Sequence, residues 1–347
     1  MNIDAFFAFA RERHSVYLRR QAGQPWPWTT DPILQKYRFT NVFRELDATT
    51  VWFREHVREP MRHKPEVLLA TVLFRWFNRI RTGEAVFCQS MFDKDTQCVP
   101  PWDVVENLGV ERLKNVRSGI LSYCGRGPYV TGAYIIKTPD GYTKLDGVLQ
   151  CVQWFMEQGH SYDKIFAGDK ACMVYHTSGT WRAIAEDCLH PDWQLSLEQM
   201  WKWLRQFPYL GDFMAYEVVT DLRHTDLLCD APDIMSWANP GPGAARGASR
   251  VFHDGDKDRY NQHRDKQHII GLMQELLAYS QDSRYWPKQE ELGMMPPEYA
   301  RNWERSLLLG PWPSWEMREV EHTLCEFDKY ERVRTGQGRP RGVYRHG

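Results

Sequence analysis

The chain has 347 residues, 42% of them apolar and 26% charged, and its formal net charge is −1. That balance describes a globular chain long enough for one two-lobed domain or two domains, and it excludes a disordered polymer. No run approaches the roughly 18 apolar residues of a membrane span. The opening MNIDAFFAFARERHSVYLRR also lacks the basic leader and small-residue cleavage site of a signal peptide.

A cytosolic location, in a host cell if the chain is viral, is therefore expected, with the eight scattered cysteines as free thiols. Neither CxxC, HExxH nor a Cys/His cluster occurs, so no metal and no cofactor is expected. A near-neutral chain would meet nucleic acid through local patches. The basic groupings are Arg11, Arg13, Arg19 and Arg20; Arg75, Arg79 and Arg81; Arg246 and Arg250; and Arg332 to Arg345. Any one of them reads first as a solvated face. The 15 tryptophans belong mostly to the core, although an aromatic face can also stack on a base.

Residues 37–57 place Phe39, Phe43, Leu46, Thr50 and Phe53 at three- and four-residue steps, which predicts an amphipathic helix closed by Pro60. Residues 66–80 predict a central helix, apolar on all sides and stopped at Gly83. Two β-prone runs flank Thr-Pro-Asp-Gly in 130–145 and predict a small strand hairpin, and 146–158 return to helix. Residues 195–207 set Leu197, Met200, Trp201, Leu204 and Phe207 on one face. A break at Pro208-Tyr209-Leu210-Gly211 follows, then a helix from Asp212 to about His224. NPGPGAARG, 239–247, predicts a rigid loop; 254–268 a polar exposed segment; 316–333 a last helix; and the basic tail a frayed end.

Two nucleotide-loop look-alikes fail. Gly132 to Thr138 lacks the second glycine of a Walker A loop, and Gly241 to Gly247 has the wrong spacing for a dinucleotide loop. The helix–FPYLG–helix segment is stronger. A helix N-terminus behind a tight turn presents backbone N–H groups and a dipole to an anion such as a DNA phosphate, although an ordinary helix corner has the same pattern. Glu217, Asp221 and His224 flank the buried stripe of the second helix. A carboxylate there can act as a general base. An ion pair of Asp221 with Arg223 or Arg44 is the structural alternative.

FPYLGDFMAYEVVTDL resembles the helix–hairpin–helix element of DNA glycosylases, with Tyr209 where the first hairpin glycine usually stands. Together with RFTNVFRELD (38–47), TGAYII (131–136), GPGAARG (241–247) and LCEFDKYERV (324–333), it resembles the alpha-glutamyl/putrescinyl thymine pyrophosphorylase family of phage amino acid:DNA transferases. A related helical domain accompanies some 5-hydroxymethyl-dU DNA kinases. The resemblance implies a mainly α, helix-hairpin-helix, DNA-glycosylase-like bilobal helical fold with one small β-hairpin. It also implies an N-terminal arm at 1–36, a transferase domain at 37–335 with the hairpin at 195–224, and a basic tail at 336–347.

The activity it implies is transfer of an amine onto the 5-methylene of 5-phosphomethyl-deoxyuridine in double-stranded DNA, with loss of phosphate. Glycine, serine or a polyamine would be the donor, and a 5-hydroxymethyl-dU DNA kinase a possible partner. That chemistry needs a base for the amine's proton, cations for the leaving group and a pocket for an extruded base.

For catalysis the resemblance points to Asp221, with Asp233 as rival, and to Glu45 or Asp47 for the amine. Asn41, Arg44 and Arg246 would hold phosphate or carboxylate. Thr131, Tyr134, Glu326, Lys329 and Tyr330 would line the pocket, and Tyr209, Gly211 and Asp212 would meet the DNA backbone. Two rival readings are a glycosylase acting on a modified thymine and a non-catalytic DNA-binding partner of the kinase.

Overall fold

A computed structural model of the chain describes residues 1–64, 66–87, 110–161, 173–175, 181–183, 194–287 and 312–344. Its α-helices of five residues or more, in chain order, are α1 (Ile3–Gln21), α2 (Pro32–Lys36), α3 (Ala48–Phe53), α4 (Val67–Phe77), α5 (Ile80–Phe87), α6 (Val110–Cys124) and α7 (Lys144–Ser161). After a two-stranded antiparallel sheet, β1 (Met173–Tyr175) and β2 (Trp181–Ala183), come α8 (Leu197–Leu204), α9 (Asp212–Leu222), α10 (Pro242–Phe252), α11 (Lys266–Tyr279) and α12 (Met317–Arg334). The fold is mainly helical, and among the described residues no helix is long and apolar enough to cross a membrane. The chain divides into two compact units, one of Met1–Asp47 with Ile234–Gly347 and one of Ala48–Asp233.

In the first unit α12 is the axis. Gly243 and Gly247, one turn apart on α10, face it. A Cβ on Gly247 would lie 2.7 Å from the Leu324 carbonyl carbon, and one on Gly243 would lie 2.9 Å from Cys325 Sγ. The glycines therefore let two backbones touch. GPGAARG is not the rigid loop its composition predicts: Gly241 caps α10 and Pro242 opens it, where a missing N–H costs nothing. From α1, Phe6 and Phe7 are buried against Trp315, with ring centroids 6.0 and 5.5 Å away.

Two further expectations for this unit change. The tail is ordered through Tyr344. Arg38 N–H donates to the Gly342 carbonyl (3.0 Å), Tyr344 N–H donates to the Lys36 carbonyl (3.0 Å), and the Tyr344 ring lies 5.6 Å from the Arg38 guanidinium. No continuous helix spans 37–57. Phe39, Phe43, Leu46, Thr50 and Phe53 are all buried, yet 38–43 is irregular, Arg44–Leu46 is a single 3-10 turn, and α-helix begins at Ala48. Asn41 explains the break. Its Nδ2 donates to the Leu46 carbonyl (2.8 Å) and its own N–H donates to Asp47 (3.0 Å), so local side-chain bonds take groups a helix would use.

In the second unit α4 is buried along its whole length, as its unbroken apolar run predicts. Its stop is Asn78, in the left-handed region at φ 43°, rather than Gly83. Gly83 sits inside α5, where a Cβ would meet Phe74 at 2.9 Å. Residues 130–145 contain no strand. Thr131 N–H donates to the Phe77 carbonyl (2.8 Å) and Lys144 Nζ to the Ile136 carbonyl (2.8 Å), so neighbouring elements satisfy this segment without a ladder. Only the turn at Asp140–Gly141 is as expected. The described strand pair lies instead at 173–183, which the sequence reading did not identify.

Candidate functional site

A polar constellation of the first unit forms where the 39–47 loop meets one face of α12. Arg13, buried on α1, fixes the loop. Its Nη2 donates to the Phe39 carbonyl (2.9 Å) and to Asn41 Oδ1 (2.6 Å). With its other bonds to Leu46 and Asp47, Asn41 is a structural pin. Burial raises the Asp47 carboxyl, against the opposing pull of Arg44, the Asn41 N–H and Arg13. Glu45 is buried and lies 3.5 Å from Arg318.

Residues 318, 319, 322, 326 and 329 line successive turns of α12. Arg318 stands 3.6 Å from Glu319. Burial pushes the Glu319 carboxyl up to about 8, Arg318 opposes the shift, and Glu316 adds to it. His322 is held well below the usual imidazole range, first by burial and then by Arg44, Arg318 and Lys329. Its Nε2 lies 2.7 Å from Thr40 Oγ1. Glu326 accepts from the Thr40 N–H (3.0 Å) and from Lys329 (2.7 Å), and the Lys329 ammonium lies 4.8 Å from the Phe39 ring. Four cations (Arg13, Arg44, Arg318, Lys329) meet five carboxyl groups here (Glu45, Asp47, Glu316, Glu319, Glu326), and burial raises two of these, Asp47 and Glu319.

Tyr330, one turn beyond Glu326, packs its ring 6.2 Å from the Phe39 ring but turns its hydroxyl away from the cluster. Its hydroxyl donates to Asp31 (2.6 Å), and burial and Asp31 raise its phenol. It lines a cavity of about 520 Å³ with Phe9, Glu12 and Leu34. Arg246 pairs with buried Asp328 (2.9 Å), which also takes Arg250 (2.9 Å) and Arg332 (3.3 Å). The Cys325 thiol, raised well above its usual value by burial, faces Glu321 (3.5 Å) and is structural. Cys124, Cys151, Cys229 and Cys325 are free, and Cys88, Cys98, Cys172 and Cys188 lie outside the described residues.

The second unit holds the remaining predicted residues. Asp221 is fully buried. Both of its oxygens face Arg75, at Nε and at Nη2 (2.8 Å), and Arg58 Nη1 stands 3.6 Å away. The π-helical turn Arg54–Arg58 brings Arg58 there. The ion-pair alternative is therefore what the structure contains, with Arg75 and Arg58 as partners in place of Arg223 or Arg44. Asp233 caps α8, accepting from the N–H groups of Leu197 (2.7 Å) and Glu198 (3.0 Å). Tyr134 packs edge-on against Phe213, with centroids 4.8 Å apart. Thr131 lines an open cleft of about 560 Å³ with Thr49, Asn78, Arg79, Ile80, Arg81, Glu84, Tyr123 and Gly132.

Between α8 and α9, Tyr209 has φ 65°, the backbone conformation glycine adopts most readily, and its ring stacks on Trp154 at 6.1 Å. Gly211 caps α9 with open space where a Cβ would stand. Asp212 forms an ion pair with Arg205, and its carbonyl accepts from Trp201 Nε1 (2.9 Å).

Sequence reasoning missed Arg318, Glu319 and His322. Their signal was present as polar residues at three- and four-residue spacing ahead of Glu326 on the same predicted helix. Asn78 carried no signal, because its role depends on a left-handed helix stop.

A protein-family profile described as "5-hmdU DNA kinase, helical domain" matches residues 1–339. A curated 5-hmdU DNA kinase from Bacillus phage SP10 is 26% identical over 348 aligned residues, covering 94% of this chain but 44% of the relative. The chain thus spans less than half the length of that relative. No solved structure matches.

Proposed function

The chain belongs to the 5-hmdU DNA kinase helical-domain family, and from that premise we propose that it acts in thymidine hypermodification of phage DNA, transferring an amino acid onto a phosphorylated 5-hydroxymethyl-dU. The nitrogen lone pair of the donor, glycine or another amine, attacks the 5-methylene carbon. A C–N bond forms, the C–O bond to phosphate breaks with its electron pair leaving on the phosphate oxygen, and the amine proton passes to the protein.

Glu319 is the proton acceptor in this reading, carried by its place on the face of α12 that holds Arg318, His322 and Glu326: one oxygen accepts from the Glu316 N–H (3.1 Å), the other stands 3.6 Å from Arg318, and burial pushes the carboxyl up to about 8, near the roughly 8 of an α-amino group. Arg44, Arg318 and Lys329 hold the leaving phosphate. His322, kept neutral by burial and by Arg44, Arg318 and Lys329, lies against Thr40 and helps hold the 39–47 loop on α12. Glu45 and Asp47 position the cations, Asn41 shapes the loop, and Glu326 orients Lys329. Asp221 and Asp233, first expected as bases, become positioning residues because their oxygens are committed to Arg75 and to the α8 N–H groups. Arg246, tied to Asp328, and Tyr330, tied to Asp31, support α12.

The α8–turn–α9 segment is the DNA-backbone contact of the helix-hairpin-helix, glycosylase-like kind. Tyr209 supplies the left-handed residue, and the open N-terminus of α9 at Gly211 meets phosphate. Extrusion of the base gives the methylene access to the donor. A 5-hmdU DNA kinase activity supplies the phosphorylated base.

The experiment is to incubate the chain with DNA carrying 5-phosphomethyl-deoxyuridine and candidate amines, digest, and weigh the nucleosides. The expected result is a nucleoside heavier by the condensed amine, with phosphate released. Free base with alkali-labile sites would replace the reading with a glycosylase. Tight duplex binding with no mass change for any amine would replace it with a non-catalytic partner.

A further inference from the structure

The cleft of the second unit has an amide whose orientation is fixed. Asn78 is 9% exposed and lines the cleft floor. Arg75 Nη1 donates to Asn78 Oδ1 at 2.7 Å, and a guanidinium has donors only, so the amide oxygen must face Arg75. Arg75 cannot turn away, because Asp221 grips it and Thr50 Oγ1 lies 3.3 Å from its Nη2. The Asn78 Nδ2 donors therefore point away from Arg75, and Asn78 lines the cleft.

Arg79 follows on the same wall. Thr131 Oγ1 already accepts the Ala133 N–H (3.1 Å), which leaves its hydroxyl proton to donate. Glu84 shares the cleft, one oxygen accepting from the Tyr123 hydroxyl at 3.0 Å. Arg81 is engaged by the Tyr123 carbonyl (3.0 Å) and ring.

We propose that this cleft binds a free α-amino acid. Its carboxylate is received by the Asn78 amide, Arg79 and Thr131, and its ammonium by Glu84. A volume of about 560 Å³ suits a small ligand. A polyamine has no carboxylate for these donors and brings like charge to Arg79 and Arg81, so the cleft selects amino acids over polyamines. The use of the bound amino acid as transfer donor rests on the transferase reading, whereas the binding itself does not.

The test is calorimetric titration of the full chain, without DNA, using glycine, serine, putrescine, methylamine and inorganic phosphate, with circular dichroism to verify folding. Glycine or serine should bind, with putrescine and methylamine at least tenfold weaker. Asn78→Asp keeps an acceptor for Arg75 but turns a carboxylate toward the ligand; it and Arg79→Ala should each weaken glycine or serine at least tenfold. Equal binding of putrescine, preference for phosphate over amino acids, or unchanged amino acid affinity in both folded variants overturns the proposal. Transfer activity with an unchanged KM for amino acid in both variants removes the cleft and leaves the transferase reading intact. Cleft binding with no transfer does the reverse.

Discussion

Gly247 on α10 lies against the main chain of Leu324 on α12, where an added Cβ would come within 2.7 Å of a carbonyl carbon. Backbone cannot rotate away as a side chain can. Gly247→Ala should therefore push the two helices apart and destabilise the first unit by about 2–3 kcal/mol. Gly243→Ala meets mainly the Cys325 Sγ, which can move, and should cost clearly less. Urea titration of both variants checks the ordering, and equal midpoints would refute it.

Asp221 neutralises two buried arginines, Arg75 and Arg58. Asp221→Asn removes the charge and leaves both cations in a low-dielectric interior, a loss of roughly 3–5 kcal/mol. Thermal melts should show a large drop in Tm. A variant as stable as the parent but inactive in transfer would return Asp221 to the catalytic list.

These two residues show what the sequence could reveal. Periodicity located α4, α7, α8, α9 and α12, because their apolar stripes are local patterns. GPGAARG stood out as unusual, but its reason, two touching backbones, is a tertiary fact. The 37–57 stripe marked the right buried side chains and the wrong conformation, since Asn41 bonds its own loop. Asp221 carried a legible pattern and an ambiguous role. Its partner Arg75 is 146 positions away, and no spacing rule reaches that far. Arg318, Glu319 and His322 share a helix face with residues that were read correctly, but their shifted protonation comes from burial, which sequence alone does not show.

The α8–α9 turn separates folding from binding. Tyr209→Gly relieves a left-handed side-chain residue, worth about 1–2 kcal/mol, and loses the Trp154 stack, worth about 0.5–1.5 kcal/mol. Stability should change by less than about 1 kcal/mol. At Gly211 a Cβ meets nothing within 4 Å and φ is −72°, so Gly211→Ala should fold like the parent. If a DNA phosphate seats there, the methyl group blocks its approach. Fluorescence anisotropy should then show several-fold weaker duplex binding with an unchanged melting curve. Unchanged affinity would remove this turn from the DNA interface.

Glu319 gives the pH dependence. Its carboxyl titrates near 8 in the folded chain and at the ordinary 4.5 when exposed, so between those values the folded state holds a proton that the unfolded state has released. Stability must then fall as pH rises from about 4.5 to 8, and the penalty is absent below 4.5. Glu319→Gln should flatten that slope and be relatively more stable at pH 8 than at pH 5. Activity should run the opposite way, because only the ionised carboxylate accepts the amine proton. Transfer by the parent should rise through pH 8, and the glutamine variant should lose at least a hundredfold with DNA affinity unchanged. A parent whose stability is level from pH 5 to 8, or a variant that keeps the parent's rate profile, would remove Glu319 as the proton acceptor.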